Sequence, residues 1–535
     1  MNRRRPLFLY FISGLFWAAI MIPNASTEIP LRQVSQRPVV MVHGFISNYQ
    51  TWNSYLGPEG YLASAGLQGF AVGDGQVSGS LNTGSITDPA LRTNTIAENA
   101  VILGEYIQGV KELTGASEVD LLAHSMGGMI SRYYIDSVMD ERDVAQLIML
   151  GSPMLGSDCA TLPASLELYL PATLEIRPSY MRDIFNNQVT DRKGVPFYAL
   201  AGTVIKEQFR SPCTSIPSDL VVSKDSVQGI KVHLTELSTL HSEMTLSRDI
   251  FDSFVRPLLT RSSEEIPEEE NPEGENPDPE PLDFTRVYTG HVTLEDTEAV
   301  EINIEQGVRV ASFAMFDPTR TLTVTVQGAS GNVIPLSEEA NGLVIVDDPS
   351  TLLYLGYGFS DPRPGTWRVT VSAGQDTPPG GADFALTAHF SGGASLLSSA
   401  NPIVPAPGEP VIIEASLVLG NERLPVETAE AVISNARGET QRLTLAPNGN
   451  VYRGEFSPED EGVYSIDVVL TGTAPDGTTV NRGDYLSIQV QPETTPLRQY
   501  LTTAGLIALI FGTIGLSGIL LVRAISRVIG RKKRD

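Results

Sequence analysis

The chain has 535 residues, more than one hydrophobic core organises, so its length leaves room for several domains. A formal net charge of −26 argues against a nucleic-acid partner, whose backbone calls for a basic face, and suits a protein kept soluble outside the cell. Two cysteines, Cys159 and Cys213, are too few for a disulfide framework, yet they could pair in an oxidising compartment and close a loop of roughly 55 residues, worth on the order of 4 kcal/mol.

Residues 1–26 read as a secretory signal, with Arg3, Arg4 and Arg5 followed by the apolar run PLFLYFISGLFWAAIMI. The small-residue cleavage site is weak, at Asn24-Ala25-Ser26, which leaves an uncleaved N-terminal anchor open beside cleavage. Residues 36–260 then show the pattern of an α/β domain. Val39 to Val42 is a continuous apolar run that suits a strand buried on both faces, and it is followed by His43-Gly44-Phe45. Gln68 to Gly75 predicts a further short strand. Thr93 to Leu113 has helical spacing in Ile96, Ala100, Leu103, Ile107 and Val110, with Thr93 or Asn94 available as cap. Val119 to Ala123, Ala145 to Leu150 and Val195 to Gly202 predict strands, and Met126 to Val138 a helix. This alternation implies βαβ units and a mostly parallel sheet.

Between the strand at Val119 and the helix at Met126 stands Ser125, with the small residues Ala123 and Gly127 two positions to either side. A serine presented on a sharp strand-to-helix turn needs such neighbours, because the strained backbone leaves no room for larger ones. The stretch AHSMGG resembles the nucleophile turn of small bacterial lipases of the α/β-hydrolase fold, in a variant where alanine takes the first small position of G-x-S-x-G. The resemblance covers roughly residues 36 to 258 and implies an esterase or lipase that works through an acyl-enzyme on ester or lipid substrates.

The same resemblance assigns further roles. HGF at 43 to 45 corresponds to the oxyanion loop, so the backbone N–H groups of Phe45 and Met126 would hold the developing oxyanion. IPSDLVVS at 216 to 223 looks like the loop that carries the acid, with Asp219 in that place and Asp225 as its competitor. The histidine comes last in the chain order Ser, Asp, His, which leaves His233 and His241. His241 is favoured because it opens a loop-to-helix boundary, whereas His233 lies in the alternating run Ile230 to Leu234, a predicted strand. Residues 158–194 lack the alternation of the core and stand where this fold carries a cap, and the pair Cys159 and Cys213 would tie that insertion to the acid loop. Met154 occupies a position that related lipases often give to histidine, so no role passes to it. No Gly-rich dinucleotide loop follows a strand, and no cofactor and no metal is expected. The same triad would also serve an acyltransferase or a deacylase or amidase of anchored lipids, and an idle adhesin is a reading of another class.

Residues 262–283 form an acidic linker: Glu264 to Asp283 holds ten acidic residues and five prolines in twenty. Such a segment cannot bury a core and would reach up to roughly 60 Å if fully extended. Residues 284–395 and 400–491 consist of short alternating strands with turn residues between them, which predicts two all-β sandwiches. The second resembles Ig-like modules of bacterial surface proteins through Asn450 to Phe456 and Gly462-Val463-Tyr464, where a tyrosine closes a corner. His291, His389 and Trp367 read as packing residues. The sandwiches would serve as spacers or bind a surface partner. Leu501 to Val522 carries no charge over 22 residues, about 33 Å as a helix, and predicts a membrane span. The basic tail 523–535 places the C-terminus in the cytoplasm and the catalytic domain outside.

Overall fold

The computed structural model describes residues 37–207, 210–211, 213–267, 284–335, 344–345 and 355–491. The expected signal at 1–26, linker residues 268–283, the expected span at 501–522 and the tail at 523–535 lie outside the described residues. Among the described residues no helix is long and apolar enough to cross a membrane.

Six parallel strands form the first sheet: β1 (Val39–Val42), β2 (Gly69–Ala71), β3 (Val119–His124), β4 (Val144–Leu150), β5 (Phe197–Gly202) and β6 (His233–Leu237), in the order β2-β1-β3-β4-β5-β6. Both faces are covered, which is why β1, β3 and β4 read as unbroken apolar runs. Alternate residues divide between the faces. Val40, Val42, Leu121, Ala123, Leu147 and Met149 join one core, whereas Val39, Met41, Leu122, Ile148 and Leu150 join the other with Trp52, Phe251 and Leu258.

Against the first of these cores lie the helices that succeed α1 (Tyr61–Ser64), namely α2 (Ile96–Thr114) and α3 (Met126–Tyr133), which runs on into π-helical turns over Tyr134–Val138. Helix α2 is capped by Thr95 rather than by Thr93 or Asn94: its side chain accepts from the Glu98 N–H while Glu98 reaches back to the Thr95 N–H, a reciprocal capping box. The expected strand around Ile230 begins later, at His233, so that its register matches Tyr198 to Gly202 of β5.

Between β4 and β5 the chain forms short helical turns, among them Thr161–Ala164, Ala172–Glu175, Pro178–Tyr180 and Asn186–Gln188. Their apolar residues Leu174, Ile176, Met181, Ile184 and Phe185 belong to the same core as α2 and α3, so this insertion is packed down rather than free-standing. Cys159, at its start, is disulfide-bonded to Cys213 in the loop after β5.

The C-terminal half is antiparallel. A three-stranded sheet (Leu322–Gln327, Gly365–Ala373, Thr297–Ile304) faces a five-stranded one (Val344–Ile345, Leu355–Ser360, Val308–Phe316, Ala382–Gly392, Phe284–Val292) around Phe313, Phe384, Phe390 and Trp367. A second pair of sheets follows, one built on Ala394–Asn401, Val411–Leu419 and Val451–Phe456, the other on Thr440–Thr444, Val426–Asn435, Gly462–Thr473 and Thr479–Val490. Strand Ala394–Asn401 spans the position where composition suggested a break and belongs to the second pair. Trp367 is buried and donates to the Arg363 carbonyl, and His389 is buried as well, whereas His291 lies at the surface, paired with Asp383.

These sandwiches do not stand away from the first domain. Arg177, 1% exposed, leaves the insertion to reach Ser465 and, at 2.8 Å, Asp467, with its guanidinium over the Tyr485 ring. Ser179 Oγ donates to the Tyr485 carbonyl at 2.7 Å. The two sandwiches are joined by the buried pair Arg482–Glu305 and by the Val287 N–H, which donates to the Tyr485 hydroxyl.

Candidate active site

In an open parallel sheet the loops at the carboxyl ends of the strands converge where the strand order reverses, here between β1 and β3. The residues singled out in the sequence gather at that edge. HGF follows β1, Ser125 follows β3, Asp219 lies on the loop after β5, and His241 comes after β6.

Ser125 adopts φ 54° and ψ −128°, a backbone conformation costly for a non-glycine residue and of the kind that persists where the surroundings impose it. Its N–H is held by the Leu150 carbonyl at 3.0 Å. Gly127 has no alternative, because a Cβ there would sit 2.4 Å from the Val42 carbonyl oxygen. A Cβ on Gly44 would sit 2.6 Å from Ser125 Cβ, so the loop after β1 lies directly against the serine.

That loop is pinned from behind. The Thr83 hydroxyl donates to the Gly44 carbonyl at 2.8 Å, and the Ile46 N–H to the Thr83 carbonyl at 2.9 Å. Burial pushes the His43 imidazole down to about 4 against the opposing pull of the Gly44 carbonyl, so this ring stays neutral. Phe45 packs edge-on against Tyr169, with ring centroids 5.4 Å apart. Met126 opens α3, and its N–H is one of the first-turn donors that have no acceptor within the helix.

Asp219 is fully buried and His241 is 3% exposed, with Nδ1 2.7 Å from Asp219 Oδ2. The other carboxylate oxygen accepts from the N–H groups of Val221 and Val222 at 2.9 and 2.7 Å, and the His241 N–H donates to the Asp219 carbonyl at 3.1 Å. With its acceptor sites filled in this way the carboxylate has one orientation. Ser125 makes no side-chain capping bond to α3, and no hydrogen bond joins its Oγ to His241.

The two competitors fall elsewhere. Asp225 is an exposed first-turn residue of the short helix Lys224–Val227, bonded to Gln228. His233 begins β6, at the amino end of a parallel strand and so at the opposite edge of the sheet from Ser125, stacked on Tyr198 at 4.9 Å.

Four contributors escaped the sequence reading. A Cβ on Gly151 would lie 3.0 Å from His241 Nδ1 and 3.1 Å from Asp219 Oδ2, and one on Gly202 would lie 2.6 Å from Asp219 Cβ. Both glycines end or directly follow a predicted strand, a signal that could have flagged them. Thr83 sits in a Gly- and Ser-rich stretch with no such mark. His124 precedes the serine; its Nε2–H donates to the His241 carbonyl at 3.1 Å.

One wall of the site belongs to the C-terminal half. Phe45 and Ile46 pack against a cluster formed by Cys159, Leu162, Tyr169 and Cys213 together with Ala314, Phe316 and Ala385 of the first sandwich. Among the described residues no group of His, Cys, Asp and Glu is gathered to hold a metal ion.

A family described as a PGAP1-like alpha/beta domain matches residues 84–243. The chain is similar to the crystal structure of a Bacillus licheniformis lipase in its propeptide form, with a TM-score of 0.55 and 15% identity over 85% of this chain and 94% of that one. The mature form of the same lipase matches with a TM-score of 0.33 and 18% identity over 42% of this chain and 93% of that one. A Legionella pneumophila phospholipase matches with a TM-score of 0.31 and 16% identity over 64% and 87%. The first likeness covers the parallel sheet and the sandwiches together and establishes a shared fold.

Proposed function

We propose that the chain is a membrane-tethered serine hydrolase that cleaves carboxylic esters outside the cell. The observation that carries the reading is the buried 2.7 Å contact between His241 and Asp219, at the same sheet edge as the strained turn of Ser125. In this mechanism His241 takes the proton as Ser125 Oγ attacks the acyl carbonyl, and Asp219 holds the imidazole in the required tautomer and stabilises it when charged. The Phe45 and Met126 amides receive the negative charge. His241 then protonates the leaving alcohol, and water repeats the sequence to free the acid. The likeness to a Bacillus licheniformis lipase supports ester or lipid substrates.

The charged N-terminus with its apolar run, the apolar segment at 501–522 and the basic tail support export and a single C-terminal span, with the catalytic domain outside and the tail in the cytoplasm. A division into an α/β domain and two sandwiches, the second Ig-like, is supported by the separate cores of the sandwiches and by Tyr464, whose hydroxyl donates to the Asp460 carbonyl at 3.1 Å, with the boundary between the sandwiches before Ala394 rather than at 395–400.

The test is labelling by a fluorophosphonate probe together with hydrolysis of an ester series of increasing acyl length, with and without a lipid interface. Ser125→Ala should abolish labelling and lower turnover on the order of a million-fold. Undiminished hydrolysis by that variant would remove the reading, and preferential transfer to added alcohols would redirect it to an acyltransferase.

A further inference from the structure

The triad histidine is held by more than its acid. His241 sits in a loop, and a loop side chain is only as well placed as its backbone. Three bonds to other elements fix it: Nδ1 to the Asp219 carboxylate, the N–H to the Asp219 carbonyl, and the carbonyl to a side chain from another strand, His124; the same carbonyl also accepts from the Met244 N–H at 3.4 Å, within the turn that His241 opens. The first two come from a single residue, so they define a hinge about Asp219 rather than a position. The third comes from the end of β3, the strand that also delivers Ser125, and it closes the triangle between nucleophile, acid and base.

We propose that His124 is a positioning residue for the reaction: a neutral imidazole that grips the backbone of the triad histidine and ties its distance from the serine to the geometry of β3. The proposal rests on the serine-hydrolase reading given above and deepens it.

A carbonyl oxygen can only accept, so the bond selects the Nε2–H form of His124. Its surroundings keep it neutral. The ring is 6% exposed, and burial, followed by the neighbouring His241, pushes it down to about 3. The His124 and His241 rings lie 4.6 Å apart at 43°. This neutrality matters for the chemistry, because His241 must become an imidazolium during acylation. A second positive charge at that distance would oppose the step, whereas a neutral donor on the His241 carbonyl does not. A lysine or arginine would supply the N–H and fail on charge; a leucine would fill the space and leave a buried carbonyl without this partner.

The experiment uses the full chain. His124→Phe keeps a planar ring and removes the donor, and His124→Gln restores an N–H of similar reach. The expected result is a fall in kcat of about 10²-fold for the phenylalanine variant with KM within about twofold, since a base displaced by roughly 1 Å costs that much. The rate of fluorophosphonate labelling falls in step while the fraction labelled at completion is unchanged, which separates misplacement from misfolding. The glutamine variant recovers to within about fivefold of the wild type. Wild-type kcat per labelled site in His124→Phe would overturn the proposal, as would a glutamine variant as impaired as the phenylalanine one. If His124→Phe does not fold, His124→Gln against His124→Asn decides: the shorter amide must be the slower enzyme, and equal rates overturn it. Failure of the hydrolase reading itself is seen separately, as activity that survives Ser125→Ala.

Discussion

Gly44 and Ser125 follow different strands and touch so closely that a single methyl on the glycine would stand 2.6 Å from the serine Cβ and 3.2 Å from its Oγ. No pair of non-bonded carbon atoms tolerates that separation, so either the loop after β1 or the serine must move. Gly44→Ala is expected to lower kcat by about 10²-fold while leaving the fold intact, because the displacement falls on the proposed oxyanion donor and nucleophile. Steady-state hydrolysis alongside circular dichroism reads both quantities.

Asp219→Asn is close to isosteric but exchanges an acceptor for a donor at the atom facing His241 Nδ1. The imidazole then presents the wrong tautomer to Ser125, and turnover should fall on the order of 10⁴-fold with little loss of folded protein. A variant that retained more than about a tenth of wild-type turnover would transfer the acid role away from Asp219.

Glu175 supplies a pH prediction. Its carboxyl is buried beside the first turn of α2, where Oε2 accepts the Ile96 N–H at 2.6 Å, and burial pushes it up from 4.5 to about 8 against the pull of that bond. A folded-state value above the unfolded one means that the folded protein binds more protons between about 4.5 and 8. The group's stabilisation is therefore complete at acid pH and is lost as pH rises through about 8. One such proton contributes a slope of at most about 1.4 kcal/mol per pH unit. Urea unfolding of Glu175→Gln, which keeps the acceptor and cannot ionise, should show a flatter decline from pH 6 to 9 than the wild type, and parallel curves would contradict this.

Arg177 joins the insertion to the second sandwich through a guanidinium that is almost wholly buried. Removing it leaves the bonded pair Ser465 and Asp467 without its positive counterpart at a closed junction, a loss on the order of 3 kcal/mol. Arg177→Ala should lower the denaturation midpoint clearly, whereas Arg177→Met, which refills the volume, should destabilise less. Equal midpoints for the two would assign the contribution to the lost ion pair and hydrogen bonds rather than to packing.

What the sequence conveyed followed the range of the interaction. The unbroken apolar run Val39 to Val42, the helical period of Ile96 to Val110 and the small residues around Ser125 are local consequences of a two-sided sheet, an amphipathic helix and a tight turn, and each is written in adjacent positions. Asp219 and His241 were legible through their order in the chain and a family likeness, and the structure brings their side chains together. Gly151 and Gly202 were not, because what they accommodate is a side chain far away in sequence, and a glycine after a strand reads equally as a turn. Thr95 displaced Thr93 as cap because a cap is chosen by the partner three residues on, Glu98, a test that the pattern permitted but apolar spacing alone did not apply. The packing of the sandwiches onto the insertion had no signature, since Arg177, Ser179 and Ser465 are polar residues that composition assigns to the surface.

The junction made by Arg177, Ser179, Tyr485 and Val463 has a consequence for how this molecule comes apart. The acidic segment at 268–283 joins the halves covalently, and the junction joins them a second time through non-covalent contacts that do not depend on it. Cutting the peptide backbone there would not free the α/β domain: the two fragments would migrate as one particle on size exclusion and separate only on a denaturing gel. Integrity of the chain and integrity of the assembly are thus distinct properties of this protein.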